Sequence, residues 1–170
     1  MLLNTVTMEI RPITKDNFSE AVEIYKQGLA TNIATFQNDL PQWEDWNKGH
    51  LDFCRISIYE NNKMLGWTAL TPVSSRCVYA GVAEVSVYIA QKERGKGIGK
   101  ILLNELITQS EANGIWMLQS GIFSENQSSI KLHEKCGFRM VGYREKIGKK
   151  NGIWKDNILM EYRSKNIGID

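Results

Sequence analysis

A glycine-rich segment, RGKGIGK at residues 94–100, lies between a strand-like run, AEVSVYIA at residues 83–90, and a helical pattern. Glycine lacks a Cβ, so the backbone of such a segment can adopt positive φ angles and lie directly against a ligand. The first amides of the following helix have no partner, and the helix dipole adds partial positive charge. With Arg94, Lys96 and Lys100 at its rim, the turn predicts a diphosphate site. A purely structural turn, for which two glycines suffice, is the alternative.

Two common phosphate-binding motifs do not fit this segment. The Rossmann pattern G-x-G-x-x-G requires a glycine where the chain has Lys100, and no acidic residue ends the next predicted strand. The P-loop pattern requires four residues between its glycines and a Lys-Ser or Lys-Thr pair after them, which the segment lacks. An NAD or P-loop nucleotide site is therefore not expected.

Hydrophobic periodicity divides the chain into strands and helices. Strands are predicted at residues 6–11, 54–60, 64–71, 83–90, 115–121, 138–148 and 153–162. Helices are predicted from Thr14 or Asp16 to Leu29, from Pro41 to Leu51, from Ile98 to Gly114 and from Asn126 to Gly137. The third helix is expected to bury Ile98, Ile101, Leu102, Leu106 and Ile107. The order β-α-α-β-β-β-α-β-α-β-β predicts an α/β fold, with a mixed sheet covered by helices on both faces.

Size, charge and cysteine content narrow the function classes. The 170 residues are expected to form one domain, 1–170, with its core at about residues 8–163. A formal net charge of +2 gives no reason to expect nucleic acid or an anionic membrane as partner. The three cysteines lack metal-ligand spacing, so no metal is expected. No stretch resembles a signal peptide or a membrane span, which predicts a cytoplasmic protein.

Several segments resemble one enzyme superfamily. Arg94-x-x-Gly97-x-Gly99 is similar to the R/Q-x-x-G-x-G/A pyrophosphate motif of the GNAT acetyltransferases. Residues 74–76, 81–89, 114–138 and 142–154 resemble the phosphinothricin and methionine sulfone (sulfoximine) N-acetyltransferase group within that superfamily. The resemblance covers about residues 8–163. It implies the GNAT acyl-CoA N-acyltransferase fold, acetyl-CoA as co-substrate, a small amine as acceptor and a homodimer.

The resemblance also implies a binding site for acetyl-CoA between strands 83–90 and 115–121. Backbone groups of Val87, Tyr88 and Ile89 would pair with the pantetheine arm, and an amide of Val87 or Tyr88 would polarise the thioester carbonyl. Asn126 would contact the cofactor, although it is also a good helix N-cap. The pyrophosphate would be held by the turn residues Arg94, Gly95, Lys96, Gly97, Ile98, Gly99 and Lys100.

Two residues are candidates for proton transfer. Glu84 interrupts an apolar run, where a carboxylate is costly unless it is solvated or paired, and it can take the proton of the attacking amine. The alternative is a strand-end glutamate that faces water or a lysine. His133 occupies the position at which many GNAT enzymes have a tyrosine that protonates the leaving thiolate. Its alternative is a surface histidine.

The acceptor site is predicted from the same resemblance. Ser74, Ser75 and Arg76 correspond to a substrate loop, in which Arg76 would bind an acidic group of an amino-acid-like acceptor. The residues that would flank the amine beside Glu84 are Val85 and Ser86. Trp43 or Trp46 is a candidate roof for the pocket, and His50 is expected to be structural.

Two other functions remain open at this level. A protein N-terminal or lysine acetyltransferase would need an open acidic or apolar groove, which no sequence feature marks. A non-catalytic acyl-CoA-sensing module would keep the glycine turn and could dispense with Glu84 and Arg76.

Overall fold

The architecture follows the predicted order of elements. A computed structural model describes residues 7–170, so the predicted first strand residue, Val6, lies outside the described residues. The elements are β1 Met8–Pro12, α1 Phe18–Leu29, α2 Trp43–Gly49, β2 Ile56–Glu60, β3 Lys63–Pro72, β4 Val82–Ile89, α3 Ile98–Ala112, β5 Met117–Phe123, α4 Gln127–Lys135, β6 Arg139–Lys150 and β7 Ile153–Arg163. Short 3₁₀ turns at Cys77–Tyr79 and Gln91–Glu93 precede and follow β4. Within the described part of the chain, no helix is long and apolar enough to cross a membrane.

The seven strands of residues 7–170 form one mixed sheet, as predicted. Their spatial order is β1-β2-β3-β4-β5-β7-β6. Strands β4 and β5 pair in parallel, and the other neighbours pair antiparallel. A parallel pair needs a crossover connection, and α3 supplies it between β4 and β5. The glycine turn therefore lies where β4 leaves the sheet and α3 begins.

Helices cover both faces of the sheet, which confirms the predicted layering. Residues of α3 and α4 pack on one face, where Leu102, Leu103 and Leu106 are fully buried. Each buried leucine side chain contributes about 1.5–3 kcal/mol relative to an exposed one. Helices α1 and α2 pack on the other face around Trp46 and Trp67.

The buried face of α3 differs from the predicted one. Ile101 is 42% exposed, and Leu103 is buried in its place. The buried residues of α3 follow the helical period and are Ile98, Gly99, Leu102, Leu103, Leu106 and Ser110. Packing against the sheet and α4 sets this rotation, because Gly99 lies close to Leu132 of α4.

Two predicted helix ends on the α1–α2 side are wrong, and the cap of α4 is confirmed. The N-cap of α1 is Asn17, whose Oδ1 accepts a hydrogen bond from the Thr14 amide at 2.8 Å. Because Asn17 closes this turn, neither Thr14 nor Asp16 caps the helix.

Helix α2 ends at Gly49, before Leu51. Asn126 caps α4 by accepting a hydrogen bond from the Ser129 amide at 3.3 Å.

The β6–β7 hairpin holds the connecting segment between α1 and α2, residues 30–42. The predicted turn is present, with Asn151 and Gly152 at φ angles of 50° and 80°. The buried Lys150 ammonium donates to Asn38 Oδ1 at 2.5 Å and to the Gln37 carbonyl. Asn151 Nδ2 donates to Asn32 Oδ1 at 3.2 Å. These contacts fix the connecting segment next to the site described below.

Candidate active site

Strands β4 and β5 diverge and leave an open strand edge. Their parallel register covers three pairs and ends at Glu84↔Gln119, whereas β4 continues to Ile89. Beyond Glu84, the side of β4 that faces β5 can therefore pair with an extended ligand chain. A cavity of about 500 Å³, here called the cofactor cavity, opens at this edge and is lined by Val87, Tyr88 and Ile89.

Glycine is required at the three glycine positions of the turn for different structural reasons. Gly95 and Gly97 have φ angles of 78° and 85°, and Gly97 is the N-cap of α3. A Cβ at either position would meet no atom within 4 Å, so backbone conformation rather than packing requires glycine there. A Cβ at Gly99 would lie 2.7 Å from the Leu132 side chain, so Gly99 permits the close packing of α3 on α4. All three glycines line the cofactor cavity.

The charge of the cofactor cavity is mainly positive. Arg94 and Lys100 line it, as predicted from the turn, and Lys131 and Lys135 of α4 join them. Glu93 is the acidic residue of this lining. The two α4 lysines were not predicted, although they lie four residues, or about one turn, apart on the helix that Asn126 caps. Four cations around an open helix N-terminus suit a ligand with several phosphate groups.

Lys96 does not line this cavity, in contrast to the prediction. Its Nζ lies 2.8 Å from Glu93 Oε2, and Lys63 Nζ lies 3.6 Å from the other carboxylate oxygen. The hydrogen bond from Lys96 holds the pKa of the Glu93 carboxyl below its usual range. Lys96 therefore forms an ion pair with Glu93, three residues before it in the chain.

Arg94 and Asn126 line the cofactor cavity and also hold its walls. Arg94 Nε donates to the Ile89 carbonyl at 3.2 Å, which ties the glycine turn to the end of β4. Asn126 Nδ2 donates to the Ile33 carbonyl at 3.3 Å. Asn126 thus joins the start of α4 to the connecting segment, in addition to capping the helix.

A second cavity, here called the acceptor cavity, lies on the α1–α2 side of the sheet. Its volume is about 600 Å³. Aromatic side chains form much of its wall, namely Phe18, Tyr25, Trp46, Trp67 and Tyr88. Of the predicted acceptor residues, Glu84 and Ser86 line it, and the candidate roof residue Trp46 does as well. Glu84 is exposed, and its Oε2 accepts a hydrogen bond from Gln119 Nε2 at 2.9 Å.

Tyr88 joins the two cavities. Among residues 7–170, it alone lines both of them. Its ring packs edge-on against Tyr25 at 4.9 Å and tilted against Trp67 at 5.0 Å. Burial raises the pKa of the Tyr88 hydroxyl well above its usual value, so the side chain stays neutral. A molecule in one cavity can therefore meet a molecule in the other beside this ring.

Four predicted acceptor residues do not reach the acceptor cavity. Val85 is buried in the core on the α3 side, because side chains alternate along β4 and Glu84 and Ser86 face the other way. Ser74, Ser75 and Arg76 precede the 3₁₀ turn and line neither cavity. The Arg76 guanidinium instead lies 5.6 Å from the centre of the Tyr79 ring.

His133 is buried and lines neither cavity. It is 1% exposed, so it is not a surface histidine. Its Nδ1 lies 2.8 Å from the Ser129 carbonyl, which can only accept, so Nδ1 carries the hydrogen. Nε2 is buried and has no partner among the described residues. Burial lowers the pKa of His133. A catalytic role for His133 stays a prediction.

His50, expected to be structural, lines the acceptor cavity. The short α2 helix that carries Trp46 ends just before it, and no sequence motif marks the position. Its place beside the cavity results from the packing of α2 on the sheet, which a single sequence does not reveal. Residues 7–170 contain no group of three or more His, Cys, Asp or Glu side chains that could hold a metal ion.

Comparisons with known proteins agree with this arrangement. A family model described as the acetyltransferase (GNAT) family matches residues 14–138. The L-amino acid N-acyltransferase of Escherichia coli is 32% identical over 169 residues, covering 91% of this chain and 92% of that protein. The L-methionine sulfoximine/L-methionine sulfone acetyltransferase of Salmonella typhimurium is 29% identical over 169 residues, covering 91% and 93%.

Solved structures share the fold. The crystal structure of a GNAT superfamily phosphinothricin acetyltransferase from Sinorhizobium meliloti, in complex with acetyl-CoA, matches with a TM-score of 0.80 and 26% identity. The match covers 92% of this chain and 88% of that one, which confirms the predicted fold. With the family match over residues 14–138, this establishes that the chain belongs to the GNAT acetyltransferase family.

Proposed function

We propose that this enzyme transfers the acetyl group of acetyl-CoA to the α-amine of a small amino-acid-like acceptor, of the phosphinothricin, methionine sulfone or methionine sulfoximine type. The observation that carries the proposal is the junction of two different cavities at Tyr88. One cavity is cationic and has an open strand edge, and the other is aromatic and contains Glu84. The names of the amino-acid acetyltransferases that this chain resembles support the acceptor class. Both cavities suit small molecules in volume.

The cofactor cavity is proposed to bind acetyl-CoA, which supplies the activated acetyl group as a thioester. Backbone groups of Val87, Tyr88 and Ile89 would pair with the pantetheine arm. Amides at the start of α3, from Gly97 onward, would hold the diphosphate, with Arg94 and Lys100 beside it. Lys131 and Lys135 offer two further cations for the 3′-phosphate on the adenosine of acetyl-CoA. These assignments rest on the lining of the cavity and on the open edge of β4.

In the acceptor cavity, Glu84 is proposed to act as the base. An amine attacks only when it is neutral. Each unit by which the amine's pKa exceeds the ambient pH adds about 1.4 kcal/mol to the cost of forming the neutral amine. The carboxylate takes one proton from the acceptor's ammonium group, directly or through a water. The neutral nitrogen then bonds to the acetyl carbon, the carbon–sulfur bond breaks, and the leaving CoA thiolate takes up the proton that the new amide nitrogen loses. Gln119, through its hydrogen bond, orients the carboxylate. An amide of Val87 or Tyr88 would stabilise the charge that develops on the carbonyl oxygen.

A thiol-release assay tests this function. Thiol released from acetyl-CoA is measured with methionine sulfone, methionine sulfoximine and phosphinothricin, and with simple alkyl amines and lysine peptides for comparison. We expect the amino-acid-like acceptors to be acetylated at least about 10-fold more efficiently, a difference of about 1.4 kcal/mol. Preference for the peptides would favour a protein acetyltransferase. Cofactor binding without thiol release from any amine would favour a sensing module.

The chain is further proposed to be a single domain and to form a homodimer. One sheet runs from Met8 to Arg163, which supports a single domain. β6 is an edge strand, and several large apolar side chains near it are exposed: Met140, Val141, Tyr143, Ile147, Ile153 and Trp154. An exposed apolar strand at a sheet edge is a frequent site of association.

Sedimentation equilibrium tests the dimer. We expect twice the monomer mass of 19.4 kDa. Met140→Lys should shift the equilibrium towards monomer, because it places a charge among the exposed apolar residues of β6. Ile169→Lys is the matched control, since Ile169 is 68% exposed and lies beyond the last strand. A concentration-independent monomer mass for the unchanged protein would contradict the proposal.

A further inference from the structure

Among residues 7–170, no side chain with a permanent positive charge lines the acceptor cavity. Asp45 and Glu84 line it, whereas no lysine or arginine between residues 7 and 170 does. An α-amino acid brings a carboxylate next to these two acidic groups, and phosphinothricin brings a second anion. Such an acceptor binds well only if a positive charge offsets the repulsion. Arg76, the residue predicted for this purpose, lies outside the cavity.

Within the described part of the chain, His50 is the side chain lining this cavity that can acquire a positive charge. Its ring stacks on Trp46 with 4.2 Å between the ring centres. Its Nδ1 lies 2.7 Å from the Trp46 carbonyl oxygen, which can only accept, so Nδ1 carries a hydrogen. The stacking and this hydrogen bond fix the ring, and Nε2 is the nitrogen left to interact with a bound molecule. Neutral His50 offers a lone pair there, and protonated His50 offers an N–H donor.

Burial and a nearby guanidinium favour the neutral form of His50 in the free enzyme. Burial lowers the pKa of His50, and the nearby Arg55 guanidinium lowers it further, against the opposite effect of the Trp46 carbonyl. Arg55 donates to the His50 carbonyl at 3.1 Å. The other titratable groups of the cavity are Asp45 on α2, Tyr25 on α1, and Glu84 and Tyr88 on β4, whereas β3 contributes the uncharged Trp67 and Thr71.

We propose that His50 determines specificity for acidic acceptors. As the acceptor binds, Nε2 takes up one proton from solvent and donates a charge-assisted hydrogen bond to an acidic group of the acceptor. This inference rests on the amino-acid-like acceptor of the proposed function. An anion beside the ring raises the pKa of His50 in the complex. Binding of the acidic acceptor is therefore strongest below the pKa of His50 in the free enzyme, and it weakens as pH rises from there to the higher pKa of the complex.

The decisive comparison uses L-methionine sulfone and its carboxamide, which lacks the acidic group. KM is measured for both at saturating acetyl-CoA, between about pH 5.5 and 7.5, and is corrected for the ionisation of each amine, because the α-carboxylate raises the amine pKa of the sulfone above that of the carboxamide. We expect KM for the sulfone to rise with pH, by up to about 10-fold per unit between the pKa of His50 in the free enzyme and its higher pKa in the complex. KM for the carboxamide should change much less.

Variants at position 50 complete the test. His50→Gln should raise KM for the sulfone at least about 10-fold at the low end of the pH range, and should leave it independent of pH. Its effect on KM for the carboxamide should be less than about 3-fold. His50→Lys should restore a low KM for the sulfone without pH dependence, because its charge is permanent in this range. Thermal unfolding with and without acetyl-CoA checks that each variant folds.

A calorimetric measurement on the unchanged enzyme does not depend on any variant. With CoA bound, methionine sulfone is titrated in two buffers of different ionisation enthalpy. We expect uptake of up to one proton per bound sulfone towards the upper end of the pH range, and less uptake with the carboxamide.

Three results would overturn the inference. Equal KM changes for the sulfone and the carboxamide in His50→Gln would give His50 a structural role and leave the acetyltransferase assignment intact. A KM rise selective for the sulfone in Arg76→Ala, with none in His50→Gln, would return recognition to Arg76. Turnover of diamines without turnover of any α-amino acid would overturn both this inference and the proposed acceptor class.

Discussion

Replacing Glu84 with glutamine should lower kcat at neutral pH on the order of 100-fold or more, which is the usual contribution of a general base. Glutamine has the size of glutamate and can still accept the hydrogen bond from Gln119, so the geometry of the site should persist. The affinity for acetyl-CoA should be unchanged, because Glu84 lines the acceptor cavity and not the cofactor cavity. Steady-state kinetics and a cofactor titration measure the two quantities.

The pH dependence separates a base from a positioning group. The neutral fraction of the acceptor amine grows about tenfold per pH unit below its pKa, so the variant should recover as pH rises. The ratio of wild-type to variant kcat should therefore shrink towards alkaline pH. Glu60→Gln, at the end of β2 and outside both cavities, is the matched control. A deficit of the same size at every pH would mean that Glu84 positions the acceptor and does not take its proton.

Gly97→Val should abolish detectable binding of acetyl-CoA. Gly97 has a φ angle of 85°, and the added side chain would extend into the cofactor cavity, where no protein atom lies within 4 Å of its Cβ. In the free enzyme the cost is limited to backbone strain of about 1–3 kcal/mol. With ligand, the side chain occupies the space proposed for the diphosphate. Isothermal titration calorimetry and the shift of the thermal midpoint with acetyl-CoA measure the loss.

Gly114→Val is a closely matched control. Gly114 has a φ angle of 80°, also has no atom within 4 Å of an added Cβ, and follows the C-terminal end of α3, away from both cavities. The two variants should lose similar stability, and only Gly97→Val should lose acetyl-CoA. If both variants bind acetyl-CoA like the unchanged protein, the glycine segment is a structural turn and the cofactor lies elsewhere.

Local sequence patterns are enough to predict the elements of this fold and their order. The strand of residues 83–90, the glycine turn and the Asn-Gly hairpin each carry their signal within a few residues, and each is present near its predicted place. Asn126 caps α4 for the same reason. Alternation along a strand also separates Val85 from Glu84 and Ser86, so that correction follows from the sequence once the strand is accepted.

The remaining differences arise from tertiary packing. Leu103 replaces Ile101 in the core because α3 is rotated against the sheet and α4, which no window of the sequence records. His50 reaches the acceptor cavity because α2 packs over β3 through Trp46 and Trp67. Arg76 lies in a segment that is similar to a substrate loop. Such a similarity predicts where a residue lies along the chain, but it does not predict the direction of its side chain.

The connecting segment between α1 and α2 lines both cavities. Thr31, Ile33 and Ala34 line one of them, and Thr35 and Gln37 line the other. A ligand that immobilises this segment from one side lowers the entropic cost of binding on the other side. Thermodynamic linkage makes such an effect reciprocal, so each substrate tightens the other by the same factor. The hairpin tip at Lys150 and Asn151, which holds the segment, would then set the cooperativity between the two substrates without touching either.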